Sequence, residues 1–251
     1  MRLPNAYLPD VKPGAMKTYI DLRKVKRRAW IANLISVGGL LILLGGVLVP
    51  IFLPNLLKLA QGFMIAGLGA SMIGIFLANR WVRKPRPEDS LDQALKSLND
   101  SHRLYHYPSL PCDHILLTPL SVIVLEVINL AGDFLYIDGR WKEKMNAGRA
   151  LRYIVEEHLG NPTKNCHDME QYLRNLFAQK LGNEPAMPVS SVVVFTHLAA
   201  RLEVQNSPIP VCKIDKLRKN IPTKGSKLPP ETYINLCTLL EKLTTNQKAE
   251  N

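Results

Sequence analysis

The chain has 251 residues and a net charge of +11, a length that admits one or two domains. Its four cysteines, Cys112, Cys166, Cys212 and Cys237, stand far apart with no C-x-x-C pair, which argues against a disulfide framework and against zinc-finger spacing. No Gly-rich nucleotide loop and no Ser/His/Asp or Cys/His catalytic spacing is apparent.

The charge is unevenly placed. Residues 1–28 carry eight Lys/Arg against two Asp, and end in the cluster Arg23-Lys24-Val25-Lys26-Arg27-Arg28. Residues 29–79 carry only Lys58, and residues 80–86 add Arg80, Arg83, Lys84 and Arg86. Residues 87–251 hold nineteen basic and nineteen acidic residues, so apart from Lys58 the excess lies in the segments flanking an apolar region. That pattern is a membrane signature first and weak support for nucleic acid.

In chain order, 1–28 is a basic segment expected in the cytoplasm. The region 29–79 then holds two apolar runs, about 29–53 and 57–79, each near the ~20 residues a helix needs to cross a bilayer. Pro50, Pro54 and Asn55 separate them, giving a helical hairpin. Basic clusters before the first run and after the second place both termini inside, the organisation of an integral protein of a plasma or inner membrane. Trp30 and Trp81 stand at the two boundaries, where indole rings anchor spans. Small residues recur, Gly38 with Gly45, Gly39 with Gly46, and Ala66, Ala70 and Gly74, suited to close helix approach within one hairpin or between chains of a homo-oligomer.

Residues 80–86 form a basic juxtamembrane linker, and 87–251 a cytoplasmic domain. Glu88–Leu98 shows helical spacing and Arg103–Tyr107 reads as a strand. Two β-type runs follow, Ile115–Thr118 and Val122–Val127, joined by Thr118-Pro119-Leu120-Ser121. Phe134–Ile137 suggests a further strand before the Asp138-Gly139 turn, and Ala147–His158 and Asp168–Lys180 two amphipathic helices. Val189–Thr196 reads as a central strand, Ile209–Ile214 as another, and Pro230–Leu243 as a closing helix. The outcome is a mixed α/β domain with one core.

A two-residue turn at Pro119-Leu120 sets Thr118 against Ser121 and, counting outward, Asp113 against Glu126. Opposed carboxylates at ~5 Å repel unless a cation lies between them, so the pair suits a divalent ion with oxygen ligands. The plainer alternative is two acids capping a core hairpin at solvent.

The run Asp113-His114-Ile115-Leu116-Leu117-Thr118-Pro119, then Val124-Leu125-Glu126-Val127, Asn129 and Gly132, resembles the nuclease-related domain, NERD, a family placed with the PD-(D/E)XK nuclease folds. Trp141 after Asp138-Gly139-Arg140, the strand Val192-Val193-Val194-Phe195, and Asn161-Pro162 followed by Asn165 fit the same pattern over residues 86–243. The resemblance implies a restriction-endonuclease-like mixed sheet flanked by helices, here preceded by a transmembrane hairpin. It implies Asp113 and Glu126 as catalytic acids and Mg²⁺ ligands, with Glu88 as a further acid. The motif's lysine falls on Ile128, two residues past Glu126 and on the same face of a strand. Arg140, Lys142 and Lys144 are candidates to supply the missing cation.

Three functions follow as expectations. The first is a catalytically weakened or inactive nuclease-fold module that binds nucleic acid or a protein partner at the cytoplasmic face, with Lys213, Lys216, Arg218 and Lys219 as a basic patch. The second is an active Mg²⁺-dependent nuclease using Asp113 and Glu126. The third is a structural scaffold tethered to the membrane.

Overall fold

A computed structural model describes residues 14–145, 158–182 and 187–245. The expected helix at Ala147–His158 lies outside the described residues except for its last position.

The first element is a short strand, β1 (Lys17–Ile20), and Asp21 then starts a long helix, α1 (Leu22–Phe52), accepting a hydrogen bond from the Lys24 amide at 2.9 Å. A single 3₁₀ turn, Pro54–Leu56, leads into α2 (Leu57–Trp81). Pro50 sits inside the last turn of α1, so the break falls at Leu53-Pro54 rather than at Pro50. Both helices are long and apolar enough to cross a membrane. Only 11% and 17% of their most apolar windows are buried, far less than in the core helix of a soluble fold.

The helices touch through glycines. A Cβ on Gly39 would lie 2.6 Å from the Ser71 nitrogen, and one on Gly67 would lie 2.5 Å from the Leu43 nitrogen. Gly46 and Gly74 are equally closed, whereas Gly38 and Gly45 face open space and Ala66 is exposed. The seam is therefore Gly39 and Gly46 against Gly67 and Gly74, a seven-residue repeat on each helix.

The remaining elements are α3 (Pro87–Leu95), β2 (Arg103–His106), β3 (His114–Leu117), β4 (Val122–Ile128), β5 (Gly132–Ile137), β6 (Arg140–Lys144), α4 (Pro162–Leu181), β7 (Val189–Phe195), β8 (Ala200–Val204), β9 (Val211–Lys213), a 3₁₀ segment (Ile214–Asn220) and α5 (Pro230–Thr245). A six-stranded mixed sheet runs β1-β2-β3-β4-β7-β9, and a three-stranded sheet runs β6-β5-β8. The main sheet is covered on both faces, as near-continuous apolar strands such as Val122–Leu125 demand. Ile123, Leu125, Val192 and Val194 pack with Leu91 and Leu95 of α3, while Val122, Val124 and Ile115 pack with Leu173 and Phe177 of α4 and Leu236 of α5.

Three strands lie where the sequence pattern suggested none. β1 pairs in parallel with β2, bringing the basic N-terminal segment into the sheet. β6 follows a turn in which Asp138 and Gly139 have φ of 52° and 77°, the two positive values of a type I′ hairpin. β8 alternates buried and exposed residues in Ala200–Val204.

The hairpin is docked on the domain. Val25 of α1 and Trp81 at the end of α2 are buried against Tyr107, with ring centroids of Trp81 and Tyr107 5.1 Å apart. Trp81 thus packs into protein, while Trp30 is 62% exposed.

Candidate functional site

The β3–β4 hairpin has the register read from its turn: Ile115 faces Val124 and Leu117 faces Val122, closed by the Thr118 amide donating to the Ser121 carbonyl at 2.9 Å. Carried one pair further along the same face, this register sets Asp113 across from Glu126. The two line one cavity of about 870 Å³ at the C-terminal ends of the parallel strands β4 and β7. Crevices at such strand ends are where open α/β sheets bind ligands.

Several parts of the chain build its walls. Phe76, Asn79, Arg80, Arg83 and Lys84 come from the end of α2 and the turn after it. Asn129, Thr196 and His197 follow the strand ends, and Asn165 and Asp168 come from the first turns of α4. Asn161 caps that helix by accepting from the Lys164 amide at 3.1 Å, which holds Asn165 in place to donate from Nδ2 to Glu126 Oε1 at 3.0 Å. The Asn-Pro…Asn stretch singled out in the sequence is therefore part of the site.

Asp113 forms an ion pair and hydrogen bond with Arg80, Nη2 donating to Oδ2. The two side chains are 33% and 36% exposed, so water reaches the pair from the cavity. Beside it, Cys112 is buried, and burial together with the Asp113 charge pushes its thiol up to about 12. His114 points to the opposite face of β3. Its Nδ1 lies 2.8 Å from Nδ1 of His106, whose Nε2 lies 3.2 Å from Asp92. Complete burial, with His106 and Arg80 adding to it, holds the His114 pKa well below the ordinary histidine range, so the ring is neutral.

Glu88 does not join the two acids in the cavity wall. It is 2% exposed, accepts from the Tyr107 hydroxyl at 2.8 Å, and its Oε1 lies 3.0 Å from Arg86 Nε without hydrogen-bond alignment. Its contact with the site is indirect, through Tyr107.

Ile128 is 7% exposed and packs with Phe134, Cys166 and Phe195 on the α4 side of the sheet. Trp141 belongs to the same cluster, its Nε1 donating to Thr163 at 3.3 Å, so the tryptophan after the hairpin ties the small sheet to the start of α4. Arg140, Lys142 and Lys144 are exposed along β6 and line no part of the cavity. In the basic segment, Lys213 donates to the Leu198 carbonyl at 3.0 Å, and Arg218 donates to Ser97 in the turn after α3. Arg80 went unrecognised in the sequence because its charge belongs to a cluster that marks a membrane boundary.

Residues 86–196 match the profile of the nuclease-related domain family, NERD. The chain carries a NERD domain. Its mixed sheet with flanking helices is the architecture expected of a nuclease-like fold. No curated protein and no solved structure matches the chain.

Divalent metals are typical of this fold group. Asp113 is answered by Arg80, Glu126 by Asn165, and Glu88 by Tyr107. Among the described residues, no group of three or more His, Cys, Asp or Glu is arranged to hold a metal ion. In this arrangement the residues do not fit a divalent ion.

Proposed function

We propose that this protein is a membrane-anchored NERD-domain module that binds nucleic acid through its phosphates at the cytoplasmic face, without metal-dependent hydrolysis. One observation carries the reading. Every Lys or Arg among the described residues lining the cavity comes from the hairpin exit, Arg80, Arg83 and Lys84, while the position that resembles the motif lysine is Ile128. Cations of that kind bind phosphate oxygens and release counterions, with no chemistry required.

The anchor rests on the apolar side chains α1 and α2 leave unpartnered, among them Leu40, Leu41, Ile51, Phe52 and Ile65, each 60% or more exposed. Exposed rows of that length suit hydrocarbon and would drive aggregation in water. The basic clusters at both ends of the hairpin support a cytoplasmic domain.

The test uses the full chain in nanodiscs of zwitterionic lipid and fluorescence anisotropy of labelled DNA across a salt series. Binding weakens as salt rises, and the Arg83→Gln/Lys84→Gln variant lowers the slope of log K against log salt by up to about 2. Binding that ignores both salt and the double variant sinks the nucleic-acid reading. Complete absence of binding favours a protein partner or a scaffold, which the zero net charge of residues 87–251 also favours. A second reading, an active nuclease, draws on the register that opposes Asp113 and Glu126. It requires Mg²⁺- or Mn²⁺-dependent cleavage that Glu126→Ala abolishes.

A further inference from the structure

We infer that Arg80, delivered by the second apolar helix, is the resident cation of the NERD site: its guanidinium takes the place beside Asp113 that a divalent ion would need. The inference deepens the metal-independent reading above and needs no nucleic acid to be tested.

Two carboxylates facing each other across a β-hairpin repel, and a sheet tolerates that only with a positive charge nearby. Nuclease folds of this type answer with a metal ion and a lysine on the second strand. Here the second strand carries Ile128, which packs with Phe134 and Phe195 and offers the cavity wall hydrocarbon in place of a cation. The positive charge comes from outside the family-matched residues 86–196, from Arg80 in the last turn of α2. Arginine stays protonated at any physiological pH and offers a planar fork suited to a carboxylate, so the neutralisation is permanent.

The neighbour of Arg80 fixes its position. Trp81 is 5% exposed, its ring 5.1 Å from Tyr107, and Tyr107 in turn bonds the buried Glu88. The Arg80 guanidinium carbon lies 5.4 Å from the Trp81 ring centroid, on its way to Asp113. The backbone that carries the arginine is thus tied to the domain through its neighbour Trp81. Asp113 also feels Lys24, but that ammonium donates to the Pro108 carbonyl at 3.2 Å and does not line the cavity.

A carboxylate oxygen bound to a guanidinium has to be released before it can ligate a metal at the 2.0–2.6 Å such bonds require. Arg80 and a divalent cation therefore compete for Asp113, and removing Arg80 uncovers affinity that the native chain suppresses.

The experiment titrates Mn²⁺ into the full chain in detergent micelles and reads free Mn²⁺ by electron paramagnetic resonance. Wild type binds weakly. Arg80→Gln tightens binding at least about tenfold, and the Arg80→Gln/Asp113→Asn double variant returns to the wild-type value. An Arg80→Gln protein that binds no better than wild type overturns the inference, and so does a gain that survives Asp113→Asn. Tryptophan emission reports whether Trp81 stays buried. If Arg80→Gln exposes it, Arg80→Lys decides, because a shorter and more mobile ammonium still yields to Mn²⁺ more readily than arginine. Wild-type affinity in Arg80→Lys then overturns the inference. Mn²⁺ alone is the probe, so a failure here and a failure of DNA binding are separate results.

Discussion

Ile128 and Arg80 together decide what the Asp113–Glu126 pair can do. The isoleucine is 7% exposed in a cluster that joins both sheets, so its packing role is independent of any chemistry. Restoring the motif lysine with Ile128→Lys exchanges buried branched packing for an ammonium at the core's edge, a loss of about 1–3 kcal/mol. A lower denaturation midpoint in urea checks it; an unchanged midpoint would show that the position tolerates the motif residue freely. Much at this scale was legible beforehand. Pro119 and Leu120 in a two-residue turn fix the register, and the period of two then carries Asp113 to Glu126 by counting alone. Arg80 was not legible, because nothing local links an arginine in a basic boundary cluster to an aspartate 33 residues later. The structure also leaves Glu88 out of the cavity wall, although the family resemblance implied it as a further acid.

Among the elements, the α1–α2 hairpin depends on contacts that allow no side chain. A Cβ at Gly67 would meet backbone atoms of Leu43, and no rotamer relieves a backbone clash. Gly67→Leu therefore forces the helices apart. Because Trp81 ends α2 against Tyr107, the displacement should reach the site and shift tryptophan emission. Unaltered emission in that variant would mean the helices and the site are mechanically independent. The sequence showed small residues at helical spacing but not which stripe faces the partner. Gly38 with Gly45 and Gly39 with Gly46 are adjacent on the same helix and equally small, and only the second pair meets α2. The strands β6 and β8 were hidden for a different reason. Each is five residues long, β6 with Trp141 as its one apolar residue and β8 alternating apolar with charged positions, and only pairing with β5 makes them strands.

For the whole molecule, the sheet and the apolar hairpin are one construction, since β1 precedes the hairpin and its partner β2 follows it. The mixed α/β character, the main strands and the closing helix were readable from apolar periodicity. β1 was not, because Lys17–Ile20 is too short to show a period and gains its structure from the edge of β2. A fragment of residues 87–251 lacks β1 and exposes the β2 edge, whose Leu104 and Tyr105 are fully buried in the intact chain. Open edges pair with other chains, so that fragment should self-associate in light scattering, while the chain from residue 14 in micelles should not. A monodisperse fragment would show that β1 is dispensable. The same strand also sets a timetable. Tyr19 and Arg103 are neighbours in space but 84 residues apart in the chain, and synthesis runs from one to the other through both apolar helices. By the time β2 leaves the ribosome, the two segments suited to a bilayer have already emerged. Delivery of the hairpin can thus precede closure of the sheet's outer edge, which makes that edge a late event in the protein's maturation.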